Sequence, residues 1–286
     1  MCCCQHWWEL QNCSKNSLGC NKCLFLQVFD KYCTLKCYYW LSLLLREPFG
    51  LVSTNSGKVE CFNQRALPLD YSIPCRFLMS TSVYHITHLD NLVSILAMDG
   101  LLANSAMQQE GINYKDLAYQ SIQARRARVE VPCGVGGKLT DYVPFYFAPR
   151  SPMLYTIHRG NVPTYTEGQE ALIYLVSTVE AIHQASLSFV FTEGHGIMAT
   201  TEFFDDLVQL NQVDWQVMSL KYWFDTPEDS DRKRRRQAEF LVHQFFPWRL
   251  VTEIGVINAQ MKGQVEQCLQ TLAHQPAVIV RRNWYY

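Results

Sequence analysis

The sequence predicts an α+β fold, and three observations predict it. Apolar and aromatic runs of strand length alternate with capped, helix-length stretches along residues 80–286. Their order lacks the regular βαβ rhythm of a doubly wound sheet, and no G-x-x-x-x-G-K-[ST] or strand-borne G-x-G-x-x-G loop is present. Apolar residues make up 48% of the 286-residue chain and charged residues 18%, enough to bury a core.

Taken in order, Val83–Ile86 reads as a short strand. Asp90 is placed as the N-cap of a helix with an apolar face at Leu92, Ile95 and Leu96, stopped at Gly100. Lys115–Arg128 predicts a second helix, ending before Pro132, and Gly134-Val135-Gly136-Gly137 a loop. Tyr142–Phe147 predicts a strand whose Pro144 argues for a sheet edge or a bulge. Ala171–Val176 and Phe189–Phe191 predict strands, and Thr201–Leu210 a helix. Phe240–Phe246 and Ile254–Ile257 predict strands, Met261–Ala273 an amphipathic helix and Val278–Val280 a closing strand. No internal repeat is visible.

Residues 1–78 differ from the rest. Ten of the twelve cysteines lie there, and only Cys133 and Cys268 follow. The spacing Cys20-x2-Cys23 with Cys33-x3-Cys37 suits a four-thiolate zinc site. The competing expectation is a cysteine-rich extension not selected to fold, with translation starting at or near Met79, which opens MSTSVYHITHLDNL. The first 78 residues carry no basic n-region before an apolar h-region, so a signal peptide is not expected. No apolar run reaches the roughly 20 residues of a membrane span. A soluble, cytoplasmic protein is expected, without a metal past residue 79.

The formal net charge of -1 excludes a globally basic nucleic-acid binder, although a groove can bind phosphate through its own field. Four segments carry candidate chemistry. In YHITH, His85 and His88 sit near a strand end. In IQARRAR, Arg125 and Arg126 share helix faces with apolar residues. DYVPFYFAPRSPMLY combines aromatics with Arg150, a pairing suited to single-stranded nucleic acid. Finally RKRRRQAEFLVH runs Arg232, Lys233, Arg234, Arg235 and Arg236 into Glu239, which opens a strand of buried character. A carboxylate there needs a partner or a role.

These four segments, in this order, resemble the DarT family of DNA ADP-ribosyltransferase toxins over about residues 80–286, with the C-terminal VRRNWYY included. The resemblance implies an ADP-ribosyltransferase-like fold, two small sheets around a cleft that holds NAD as ADP-ribose donor. It implies transfer of ADP-ribose to a base of single-stranded DNA, thymine in the branch this sequence looks most like. The implied partner is an antitoxin with a macrodomain, of the DarG type, that removes the modification.

Carried over by motif, Glu239 is the catalytic carboxylate and Arg125, with Arg126 second, the catalytic arginine. His85, Ile86, Thr87, Ser94, Leu102 and Arg125 are expected to contact NAD, with 107–127 as the NAD-binding helix. The segment 195–239 is expected to present the base. Within it Arg232, Lys233, Arg234 and Arg235 would meet DNA phosphates, with Arg150 beside the flipped base. Alternatives are an ADP-ribosyltransferase acting on RNA or protein, a non-catalytic nucleic-acid-binding module, and a zinc-binding regulator built on the N-terminal cysteines. The presence of both Glu239 and His85 speaks against a non-catalytic module.

Overall fold

The computed structural model describes residues 80–117 and 119–286. The cysteine-rich stretch, its zinc reading and the Met79 start lie outside the described residues. No described helix is long and apolar enough to cross a membrane.

The chain opens with β1 (Ser82–His88), α1 (Asn91–Ala97), β2 (Gly100–Leu102), α2 (Asn104–Gln109) and α3 (Gln120–Arg126). Next come β3 (Tyr142–Tyr146), α4 (Pro152–His158), β4 (Leu172–Thr178), α5 (Val179–Gln184), β5 (Phe189–Thr192) and β6 (Phe203–Phe204). The short helices α6 (Trp215–Ser219) and α7 (Arg232–Arg235) precede β7 (Glu239–His243) and β8 (Phe245–Pro247). The chain closes with β9 (Glu253–Val256), α8 (Ala259–Leu269) and β10 (Ala277–Val280).

One sheet runs β10-β9-β4-β1-β3-β7-β5-β6, antiparallel except for β9 and β10, and β2 pairs with β8 in a second. The large sheet is nearly severed at its middle. β1 pairs with β4 along its whole length, but with β3 only at Tyr84↔Tyr146. Pro144 explains the parting. It has no N–H to offer β1, and its carbonyl instead accepts a hydrogen bond from the His85 ring at 2.8 Å. Pro144 therefore marks neither a sheet edge nor a bulge: β3 is an interior strand, fully paired with β7, and the proline sits where the sheet opens.

Four expectations give way to local chemistry. The second helix is only Gln120–Arg126, because Asn91 clamps the backbone of Lys115. Its Oδ1 accepts the Lys115 N–H at 2.7 Å and its Nδ2 donates to the Lys115 carbonyl at 3.0 Å, so that backbone is unavailable to a helix. Asp90 stands at the N-cap of α1 without capping it; its carboxylate meets Lys115 at 3.2 Å. Thr201–Leu210 is not a helix: Phe203 and Phe204 pair with β5, and Asp206 accepts the Val208 N–H to start a 3-10 segment at Leu207–Gln212. The strand drawn through Phe240–Phe246 breaks at Gln244, whose φ of 57° turns the chain into the second sheet.

The core lies on both faces of this sheet. Phe145, Phe191, Phe240 and Phe246 are fully buried, and Phe147 stacks edge-on to Phe191 and Phe240. β7 is therefore buried on both faces through Val242, and any charge it carries must be compensated from within.

Candidate active site

The parting of β1 from β3 opens a cleft of about 740 Å³, within the range of cofactor and substrate pockets. β1 contributes His85, Ile86 and Thr87, α1 and β2 contribute Ser94 and Leu102, α3 contributes Arg125 and Arg126, and β7 contributes Glu239. These separated sequence segments converge on one space. Arg150, Arg232 and Arg235 do not line it.

At its centre Glu239, 2% exposed, holds Arg126, 9% exposed. Arg126 Nη1 donates to both carboxylate oxygens, at 3.1 and 2.8 Å. Burial alone would raise the Glu239 carboxyl, but the Arg126 guanidinium, with His195 beside it, holds it at about 2. His195 Nδ1 lies 3.6 Å from Glu239 Oε1. Two buried nitrogens of this group, Arg126 Nη2 and His195 Nδ1, have no hydrogen-bond partner among the described residues. Buried polar atoms are ordinarily satisfied, so both are atoms through which a bound molecule can be held.

Position on β7 fixes the carboxylate. Glu239 stands opposite Tyr146 in the β3 register, and its backbone N–H donates to Thr192 Oγ1 at 3.0 Å. Burial, with the Glu239 charge beside it, raises the Tyr146 phenol far above its ordinary range, so it remains a neutral hydroxyl at the cleft. His85 is likewise kept neutral by burial. Its Nδ1–H donates to the Pro144 carbonyl, which leaves Nε2 as the ring's acceptor.

Adjacent arginines thus differ completely. Arg126 is buried and clasps Glu239; Arg125 is exposed, lines the cleft, and among the described residues its side chain reaches the Ile197 carbonyl at 3.4 Å. The order of the two arginines expected from the sequence, Arg125 first, reverses with respect to contact with the carboxylate. Neighbours on a helix point about 100° apart, so only one of the two can face β7, and on α3 that one is Arg126.

Most of the Arg232–Arg236 run is spent inside the protein. Arg232 pairs with Asp229 at 3.1 Å, and Arg235 pairs with Asp214, Asp229 and Asp231. Arg234 holds Asp231 and Glu193, and Arg236 is buried on the carbonyls of Val217, Met218 and Pro149. Lys233 is exposed, lines the cleft and makes no ion pair among the described residues. Arg150 lies elsewhere, donating to the Tyr285 carbonyl with its guanidinium 4.1 Å over the Tyr286 ring. It clasps the C-terminal residues to the sheet. His195 and Asn91 were missed as site residues by sequence reasoning; His195 marked only the start of the expected base-presenting segment, and nothing in its local sequence pairs it with Glu239.

Residues 84–286 match the family described as ssDNA thymidine ADP-ribosyltransferase, DarT. The chain belongs to the DarT family. A DNA ADP-ribosyl transferase of Thermus sp. (strain 2.9) is 46% identical over 208 residues, which is 72% of this chain and 96% of that protein. The solved Thermus sp. 2.9 DarT in complex with ADP-ribosylated ssDNA superimposes with a TM-score of 0.68 at 45% identity, covering 72% of this chain and 97% of that one. The same Thermus DarT has been solved with NAD+, at a TM-score of 0.65 and 42% identity, over 72% of this chain and 98% of that one. A more distant DarT relative is the DNA ADP-ribosyl transferase-DNA ADP-ribosyl glycohydrolase fusion protein of Thermosipho africanus. It is 24% identical over 190 residues, 65% of this chain and 45% of the fusion. The fold, one large sheet with several helices, is that of these solved DarT structures, and among the described residues no group of three or more histidine, cysteine, aspartate or glutamate side chains is arranged to hold a metal ion.

Proposed function

We propose that Glu239, Arg126 and His195 carry out ADP-ribosyl transfer from NAD to thymine in single-stranded DNA. The chain is an NAD-dependent DNA ADP-ribosyltransferase, and NAD is its donor substrate. The observation that carries the residue assignment is the buried Arg126–Glu239 pair at the floor of the cleft, with unpartnered nitrogens on both sides of it.

The chemistry follows from that geometry. In the transfer, the bond between the nicotinamide nitrogen and ribose C1′ breaks, nicotinamide leaves neutral, and a thymine nitrogen bonds C1′ with loss of its proton. Positive charge grows on the ribose in that step. Glu239, held ionised at about 2, supplies a fixed negative charge where burial magnifies its effect. Arg126 cannot act as a base. It fixes the carboxylate through Nη1 and presents Nη2–H to the incoming base, which stabilises negative charge as the base loses its proton. His195 stands beside this carboxylate with Nδ1 at 3.6 Å, and imidazole is the commonest general base in proteins. His85, Ile86, Thr87, Ser94 and Leu102 form the wall for NAD. The neutral His85 ring offers Nε2 to a donor such as the nicotinamide amide or a ribose hydroxyl.

DNA phosphates fall to Arg125 and Lys233, the exposed cations at the cleft, and not to the paired arginines of the run. The partner is an enzyme that removes ADP-ribose from DNA, a macrodomain antitoxin of the DarG type; the glycohydrolase half of the Thermosipho fusion supports this pairing. The test is incubation of the protein with NAD and single-stranded oligonucleotides that contain or lack thymine. A mass gain of one ADP-ribose confined to thymine-containing strands is expected. Modification of RNA or protein in its place moves the acceptor to another class.

A further inference from the structure

We infer that Arg234 is the positioning residue for His195: it fixes the backbone on both sides of that histidine and so sets the imidazole beside Glu239. This rests on the reading of the Arg126–Glu239–His195 group as the active site, and it replaces a phosphate-binding role for Arg234.

The contacts converge on one short stretch. The Arg234 carbonyl accepts the His195 N–H at 3.1 Å. The His195 carbonyl accepts from the Thr201 hydroxyl at 2.8 Å, and that hydroxyl oxygen accepts from Arg234 Nη1 at 3.3 Å. The same Nη1 binds Glu193 at 2.6 Å, two residues before the histidine. Asp231 holds the other side of the guanidinium through Nε and Nη2, both at 2.8 Å, and fixes its plane. These charge-assisted bonds to two carboxylates raise the guanidinium pKa well above its ordinary value.

Gly194 completes the device. A Cβ there would stand 2.3 Å from Arg234 Nη1 and 3.0 Å from Cζ, so the guanidinium packs where a side chain would be. On the opposite flank, Thr192 Oγ1 donates to the Gly194 carbonyl at 2.7 Å and accepts the Glu239 N–H. Residues 192–195 are therefore fastened to the catalytic carboxylate by Thr192 and to the turn before it by Arg234. A planar fork with several donors is required for this arrangement, and lysine cannot supply it. With its donors directed at protein acceptors, Arg234 has little left for a phosphate.

Three variants separate positioning from phosphate binding. Arg234→Gln removes the charge and the fork. Arg234→Lys keeps the charge alone. Gly194→Ala keeps arginine and displaces it. Positioning predicts that all three lower kcat by about 10- to 100-fold. It also predicts an unchanged KM for NAD and an unchanged slope of DNA affinity against salt. In a His195→Ala background, Arg234→Gln should cause no further loss, because both act through one group.

A phosphate contact predicts the opposite: Arg234→Lys retains activity, and Arg234→Gln raises the KM for DNA and lowers the salt slope by about one. That result, or full additivity with His195→Ala, overturns the inference. The His195 ring resonance gives a readout that does not depend on transfer. It should move in all three variants while the NAD-induced shifts of the β1 residues persist. An unmoved ring resonance sinks the positioning role even if DNA is modified, whereas failure of the wild-type protein to modify DNA sinks the functional reading and leaves this measurement able to decide.

Discussion

Two arginine-rich segments border the cleft, and they use their charge in opposite ways. In QARRAR on α3, neighbouring residues divide the work: Arg126 points inward to a carboxylate from a distant strand and Arg125 remains exposed at the cleft. In DRKRRR the charge is denser, but four carboxylates neutralise it, Asp229 and Asp231 from the adjoining turn and Asp214 and Glu193 from farther back along the chain. A run of cations in a sequence therefore does not report an outward-facing field. What matters is how many carboxylates the fold returns to it. Here Arg126 matters through one buried pair, whereas the run builds the scaffold that carries β7 to the cleft.

The largest effect should come from Glu239→Gln. Loss of a preorganised charge from a buried site costs about 10²- to 10³-fold in kcat, and initial rates of oligonucleotide modification measure it. A loss below tenfold would mean that the carboxylate only holds Arg126 in place.

Arg126→Ala tests the same pair from its other side. Removing one partner of a buried ion pair costs about 3–5 kcal/mol, so its denaturant midpoint should fall sharply while that of Arg125→Ala stays near wild type. Equal midpoints would contradict the geometry.

The pair also predicts a pH dependence of stability. The Glu239 carboxyl titrates at about 2 in the folded protein and at 4.5 as a free group. Its contribution is therefore complete above about pH 4.5 and is lost as pH falls toward 2. Denaturation midpoints of wild type and Glu239→Gln, compared between pH 5 and pH 3, should converge as the pH falls.

Smaller effects separate the exposed cations from the paired ones. Lys233→Ala should lower the salt slope of DNA binding by about one, and Arg125→Ala should do the same. Arg232→Ala and Arg235→Ala should leave the slope alone. If the paired arginines carry the slope, the run faces DNA after all.

The strands, the strand-borne carboxylate and the family were legible in the sequence because each rests on local pattern: alternation, a charge opening an apolar run, motifs in order. Glu239 stood out because a buried strand should not begin with an unpaired acid. Its partner did not, since Arg125 and Arg126 are neighbours on one helix and the carboxylate that selects between them lies 113 residues further along the chain. His195 has no local signature, because Glu239, Arg234 and Thr201 meet it only in the fold. Pro144 was read as the mark of a sheet edge or a bulge, and it lies instead on an interior strand where β1 and β3 part, because its missing N–H does not show which neighbour it faces.

The measurement that bears most directly on the whole account is the mass of a thymine-containing single-stranded oligonucleotide after incubation with NAD and wild-type, Arg125→Ala or Arg126→Ala protein. The buried pair predicts one added ADP-ribose with wild type, continued though weaker addition with Arg125→Ala, and far less addition with Arg126→Ala than with Arg125→Ala. Full activity in Arg126→Ala with loss in Arg125→Ala would contradict it.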